Sequence, residues 1–306
     1  MLEYRIARAT AAATFVLLVI GGMVHATGSS LACPDWPLCY GQFFPSMEGG
    51  VLYEHGHRLV ALAVSLLTLA LAAVVWRRRR EPSVRAAALV ALGLVLFQAS
   101  LGALTVILKL PLLVSSGHLA TSMAFFSLLV WLSWRLAPPS GAAVEPAAPA
   151  SVRALALAAA LGVYAQIVLG ALVRHTGSSL ACGSEVILCQ GAAWPLGGPA
   201  QLVTLHRFAG LAVGVLVTAA TLAAIRSGPL RARRAALAAP VMVSVQILLG
   251  AWTVWSLVAV PVVSLHLGVG VLLLADSLVT FLLLGPQPAP RRAGEDRLPG
   301  FAHAAG

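Results

Sequence analysis

Charge is what this sequence lacks most. Of 306 residues only 10% are Asp, Glu, Lys or Arg, and just ten are acidic. A soluble domain needs a charged surface, so so sparse a set, with 59% hydrophobic residues and a mean hydropathy of +0.92, excludes that class. The strict polar/apolar alternation of a transmembrane barrel is also missing, which leaves helices. With four cysteines and no tight CxxC pair completed by histidines, a zinc site has no framework. A single Glu-x-x-His, Glu54 to His57, does not supply the pairs of a di-iron bundle, which disfavours non-heme metal chemistry.

What is present is long apolar runs. Eight segments are long enough to span a bilayer, at about 10–26, 57–76, 86–108, 117–136, 153–173, 206–225, 235–256 and 263–284. The first resembles a signal peptide, but a matching segment inside the chain predicts that it is retained. The net charge of +10 follows the loops rather than a nucleic-acid footprint. Arg77–Arg80 and Arg85, Arg135 and Arg153, Arg226, Arg231, Arg233 and Arg234, and Arg291, Arg292 and Arg297 all fall on one side. The opposite loops hold only Arg58, Lys109, Arg174 and Arg207. The positive-inside rule therefore predicts cytoplasmic termini and a multi-pass protein of a bacterial-type inner membrane, with the bilayer as its first partner and no nucleic acid.

The chain repeats itself. Thr27-Gly28-Ser29-Ser30-Leu31-Ala32-Cys33 recurs as Thr176-Gly177-Ser178-Ser179-Leu180-Ala181-Cys182, and His57-Arg58 as His206-Arg207, both offset by 149 residues. Gln98 with Leu101-Gly102-Ala103 returns as Gln246 with Leu249-Gly250-Ala251, and His118 as His266. The expected fold is all-α: two homologous four-helix bundles in parallel orientation, 1–137 and 153–285. A Pro/Ala linker at 138–152 joins them, and 286–306 reads as a disordered cytoplasmic tail. Cys33 and Cys39, and Cys182 and Cys189, lie in outer loops, where two local disulfides are expected. Their spacing differs, five intervening residues against six, so the loops need not share one task.

His57, His118, His206 and His266 each open an even-numbered span, which places all four near the outer surface. One interfacial histidine is more often bonded to lipid or to a loop carbonyl. Four of them, paired within each half and echoed between halves, point instead to imidazoles clamping a planar metal macrocycle. Glu54 precedes His57 by three residues on the same helical face, whereas Val203 stands at that place before His206. Only the first half thus carries an acid/base group. His55 lacks a repeat partner and reads as an interfacial bystander. His25 and His175 read as loop caps, and His303 falls in the tail. Arg58 and Arg207 either snorkel to headgroups or meet propionates. Gln98, Gln166 and Gln246 read as helix-packing groups, and Asp276 as a buried carboxylate of open role.

Together these residues resemble the heme A synthase family, over nearly the whole chain. The resemblance implies an oxidoreductase that converts heme O to heme A, oxidising a ring methyl to a formyl group through two hydroxylations and loss of water. It implies a substrate heme O between His57 and His118, near Arg58. It implies a resident heme b on His206 and His266, near Arg207, and Glu54 as the catalytic group. It also implies that Cys33 and Cys39 matter to activity, and that a quinol supplies electrons. Heme O synthase and oxidase assembly proteins are implied neighbours, and an oligomer is compatible with all of this. Two other readings account for part of the pattern: a diheme b-type cytochrome, and a two-repeat transporter with a histidine proton relay.

Overall fold

The structure, a computed structural model, describes residues 1–138 and 145–286. Residues 139–144 of the predicted linker and 287–306 of the predicted tail lie outside the described residues. The described residues form nine α-helices and no named strand. They are α1 (Leu2–Ala26), α2 (Gly49–Arg78), α3 (Pro82–Ile107), α4 (Leu112–Arg135), α5 (Ala150–His175), α6 (Gly198–Ser227), α7 (Leu230–Ala236), α8 (Ala238–Trp255) and α9 (Val260–Leu284). Taken together, α7 and α8 make one span, so eight helical segments are long and apolar enough to cross a membrane.

The spans begin earlier than their apolar runs. The helix expected from 57 starts at Gly49, and the one expected from 206 starts at Gly198. His57 and His206 are therefore two turns inside their helices rather than at the opening turn, and His118 and His266 are nearly two turns inside theirs. Backbone hydrogen bonding continues each ladder past its apolar run, where hydropathy falls but helical bonding does not. The seventh span also departs from expectation, because it breaks at Leu237. Pro240 has no N–H to give the Ala236 carbonyl, and the Thr221 hydroxyl reaches that carbonyl from α6 at 3.4 Å.

The helices pack as two linked rings. α1, α2, α3 and α4 meet in succession and α4 closes back on α1, while α5, α6, α8 and α9 do the same. The rings touch along α1–α9, α4–α5 and α4–α9. Leu71, Val75, Leu129 and Leu132 fill the first ring. Leu18, Met123, Phe126, Val163, Val217 and Val271 form a continuous core where the two meet. Leucines such as Leu62, Leu66, Leu69, Leu96 and Leu248 face outward, as a lipid-facing surface requires.

At the end of α2 Arg79, one of the topology-setting arginines, turns inward instead of standing free. It pairs with Glu3, and both are nearly inaccessible. Glu81 likewise pairs with Arg135 at 2.5 Å. Removing one partner of a buried pair strands the other charge, at a cost of about 3–5 kcal/mol. Glu3→Gln is therefore expected to lower the thermal midpoint in detergent, with Glu3→Gln/Arg79→Met recovering most of the loss. Equal midpoints for wild type and Glu3→Gln would show that the pair is energetically idle.

Candidate functional site

Each of the four histidines lies against a glycine of the preceding span. A Cβ built on Gly21 would stand 3.1 Å from the His57 ring, on Gly102 3.6 Å from His118, on Gly170 3.0 Å from His206, and on Gly250 3.3 Å from His266. At Gly21, Gly170 and Gly250 a methyl would press on the ring, so the missing side chain is what lets the imidazole settle there, whereas at Gly102 a methyl would make ordinary contact. Three of the glycines follow a glutamine by four residues, one helical turn. Gln98 donates to the His118 carbonyl at 3.0 Å, Gln166 to the His206 carbonyl at 2.8 Å, and Gln246 to the His266 carbonyl at 2.9 Å. The glutamines are thus straps on the histidine backbone rather than generic packing groups. At His57 the corresponding place is Leu17, with no strap.

The seating is reciprocal in the second ring. Gly210, one turn after His206, receives the Gln166 amide, and Gly270, one turn after His266, receives that of Gln246. The turns feeding α4 and α9 also match. Lys109 and Leu110, then Leu257 and Val258, take left-handed conformations that side-chain-bearing residues seldom adopt. Leu110 N–H reaches the Thr105 carbonyl at 2.7 Å, and Val258 N–H the Thr253 carbonyl at 2.8 Å. Both loops reverse the chain tightly, and each sets its histidine at the seventh residue of the next helix.

The ring atoms suit metal ligation. The Nδ1 atoms of His57, His118 and His266 are buried with no hydrogen-bond partner, and that of His206 lies 3.0 Å from the Gln166 amide. His57 and His118 belong to the first ring, on α2 and α4, and His206 and His266 to the second, on α6 and α9.

Around Glu54 the structure adds a feature absent from the second ring. Glu54 is 4% exposed. Its Oε2 accepts the Cys33 N–H at 2.8 Å, and its Oε1 pairs with Arg58 Nη2 at 2.6 Å. Arg58 Nη1 donates to the Asp35 and Leu38 carbonyls. The Arg58 side chain is therefore committed to Glu54 and the outer loop, and it is not directed at headgroups. His55, expected to be an interfacial bystander, is instead 2% exposed and bonds the Phe43 carbonyl through Nε2 at 2.8 Å. Three residues of one α2 turn thus hold the loop 33–43. No hydrogen bond joins Glu54 to His57.

Both expected disulfides are formed, Cys33–Cys39 and Cys182–Cys189. His55 stands with the first pair in the one sulfur–imidazole cluster found among the described residues, but cysteines joined in a disulfide offer no thiolate to a metal. Each loop ends in the same two-residue turn with both residues left-handed, Tyr40-Gly41 and Gln190-Gly191. Asp35 accepts the Gly41 and Tyr40 amides at 2.9 and 2.6 Å, and those donors, Gly41 foremost, hold its carboxyl below the usual carboxylate range. Beneath the second loop Val203 replaces the carboxylate and packs with Cys182, Cys189, Val173 and Ala200. Arg207 donates to the Leu188 carbonyl at 3.2 Å and feels the Glu185 carboxylate of the same loop, while its Nη2 is buried without a hydrogen-bond partner. At the seam between the rings His25 and His175 lie tilted against each other, ring centroids 4.6 Å apart, and Arg174 donates to the His25 carbonyl.

Eight helices long and apolar enough to span a bilayer, four of them carrying a glycine-seated imidazole, define a multi-pass membrane protein. The model of a family described as cytochrome oxidase assembly protein matches residues 4–50 and 47–278. A heme A synthase of Bacillus pumilus is 30% identical over 223 residues, covering 70% of this chain and 73% of the relative. One of Symbiobacterium thermophilum is 32% identical, covering 68% and 71%. A Halobacterium salinarum protein named protoheme IX farnesyltransferase is 33% identical over 134 residues, 44% of this chain and 29% of its own length. The chain belongs to the heme A synthase family of cytochrome oxidase assembly proteins.

If Glu54 and His55 hold the first loop, their removal should open it. Glu54→Ala and His55→Ala are each expected to speed reduction of Cys33–Cys39 by a water-soluble thiol, leaving Cys182–Cys189 unchanged. Differential alkylation read by mass spectrometry measures both bonds in one sample. Equal rates in wild type and variants would contradict the strapping role.

Proposed function

We propose that this protein is a heme A synthase: an oxidoreductase that oxidises the ring methyl of heme O to a formyl group by successive hydroxylations, in the biogenesis of a terminal oxidase. The observation that carries this reading is the asymmetry between two otherwise matching histidine pairs. Both pairs are seated on glycine, but only the first has a buried carboxylate within one helical turn.

In this reading residues 1–137 form the substrate half, and His57 and His118 bind heme O. Residues 153–285 form the second half, where His206 and His266 hold a resident heme b. A heme b at that place supplies one-electron transfer. The unpartnered Nη2 of Arg207 gives the second site a donor for a carboxylate of the porphyrin. In the first half Arg58 acts on that site through Glu54 and the loop. Glu54 presents a proton acceptor at a position fixed from two sides, by the Cys33 amide and by Arg58, and general acid–base catalysis depends on such placement. The loop above it, closed by Cys33–Cys39, covers this edge and limits water.

The termini are assigned to the cytoplasm and the cysteine loops to the outer side of a bacterial cell membrane, supported by the arginine distribution. A quinol is the proposed electron donor. Heme O synthase and oxidase assembly proteins are the proposed neighbours.

The test uses a host that makes heme O but no heme A, with extracted hemes separated by chromatography and identified by mass. Wild type should yield heme A or its hydroxylated precursor. Glu54→Ala should retain bound heme while product falls by about 10²–10⁴-fold, the range for a general acid–base group. Normal product from Glu54→Ala would remove the catalytic role, and heme B alone from wild type would favour an electron-carrying cytochrome. A second prediction concerns the seats. Gly170→Ala should lower heme retention, because its Cβ would meet the His206 ring at 3.0 Å. Gly102→Ala, at an ordinary 3.6 Å, should be tolerated. Identical heme-to-protein ratios for the two variants would contradict the seating argument.

A further inference from the structure

A hydroxyl inside a bilayer must find a partner within the protein, because hydrocarbon offers none. Many here use the carbonyl one turn back. Thr10, Thr14, Thr68, Thr121, Thr218 and Ser264 all do so, at 2.7–2.8 Å. Ser277 and Thr280 of α9 do not. Each is 6% exposed, and neither hydroxyl meets any protein donor or acceptor. Both line a cavity of about 10 Å³ between α5, α6, α8 and α9, the size that admits one water.

Two more oxygen-bearing residues line the same cavity. Asp276 contributes a carboxylate whose Oδ2 is buried and unpartnered, and Thr221 contributes the hydroxyl that reaches the Ala236 carbonyl. The remaining wall is alanine and valine, including Ala156, Val217 and Ala239. No titratable residue of α5, α6 or α8 faces it, and no charged group of α1, α4 or α7 acts on Asp276. A carboxylate held among apolar groups without a basic partner must take up a proton or a cation. Turning two hydroxyls away from their own helix is unfavourable unless a polar guest receives them.

We propose that Asp276, Ser277, Thr280 and Thr221 form a buried site for a single monovalent cation, either a proton shared with one water or a sodium ion. Membrane transporters build proton and sodium sites in the same way, from side-chain oxygens beside an interrupted helix. Here the interruption is the break at Leu237 ahead of Pro240. The site lies ten residues along α9 from His266, about 15 Å, so it is separate from the histidine sites. It gives the second ring a place to hold one positive charge on the side away from the imidazoles.

The test compares purified wild type with Asp276→Asn and with Ser277→Ala/Thr280→Val. The second variant keeps the carboxyl and covers the case in which the first does not fold. Infrared spectra are taken in light and heavy water at neutral pH, and thermal midpoints in sodium, potassium and choline chloride at equal ionic strength. A proton guest predicts a carboxylic-acid C=O band that shifts in heavy water. The band should vanish in Asp276→Asn and move to higher frequency in Ser277→Ala/Thr280→Val, where its hydrogen bonds are lost. A sodium guest predicts no such band, and a sodium-specific rise in midpoint that both variants abolish. Absence of both signals, or signals unchanged by both variants, would overturn the proposal.

Discussion

The close approach of an imidazole to a glycine on the neighbouring helix is the constraint on which the rest depends. It occurs at His57 on Gly21, His118 on Gly102, His206 on Gly170 and His266 on Gly250. Each contact sets the distance between two helices and, by the same atoms, the orientation of a ring. Van der Waals packing at small residues is the main attraction between helices in lipid, so these seats serve the fold as well as the site. In three of the four a glutamine one turn from the glycine grips the histidine carbonyl, so backbone and ring are fixed together. The fourth, at Leu17, lacks the glutamine, and there the His57 ring faces the Leu17 backbone instead.

The departures from the repeat concentrate on one side. At His57 the glutamine strap is missing, but Glu54, His55 and Arg58 tie the same turn of α2 to the disulfide loop above it. At His206 the strap is present and the corresponding contact with the loop is apolar, through Val203. His57 is therefore anchored from the loop, and the other three histidines from within the helices. Such a difference suits one site that must admit and release a large substrate and another that keeps its occupant.

Much of this was legible in the sequence. Eight apolar runs gave the spans, a repeat of seven residues aligned the two cysteine loops, and paired cysteines on one side foretold both disulfides. The four histidines stood out because ionisable groups are rare in this chain. What was not legible depends on contacts between segments distant in sequence. His55 has no repeat partner, and only the fold shows the Phe43 carbonyl beside it. Arg58 follows a histidine as Arg207 does, yet a carboxylate one turn earlier captures it. Gly21 and Gly170 look like any glycines in an apolar helix until the facing ring is seen. The starts of α2 and α6 were placed late because hydropathy reports the bilayer edge, whereas hydrogen bonding sets the helix end.

The central claim is that the four imidazoles act as two axial pairs of different occupancy. Low-temperature magnetic circular dichroism of the purified protein, with heme quantified per chain, tests it directly on wild type and the four single histidine-to-alanine variants. The account predicts a low-spin bis-imidazole signal that is lost in His206→Ala and His266→Ala and kept in His57→Ala and His118→Ala. An unchanged signal in all four variants, or loss confined to the first pair, would contradict it.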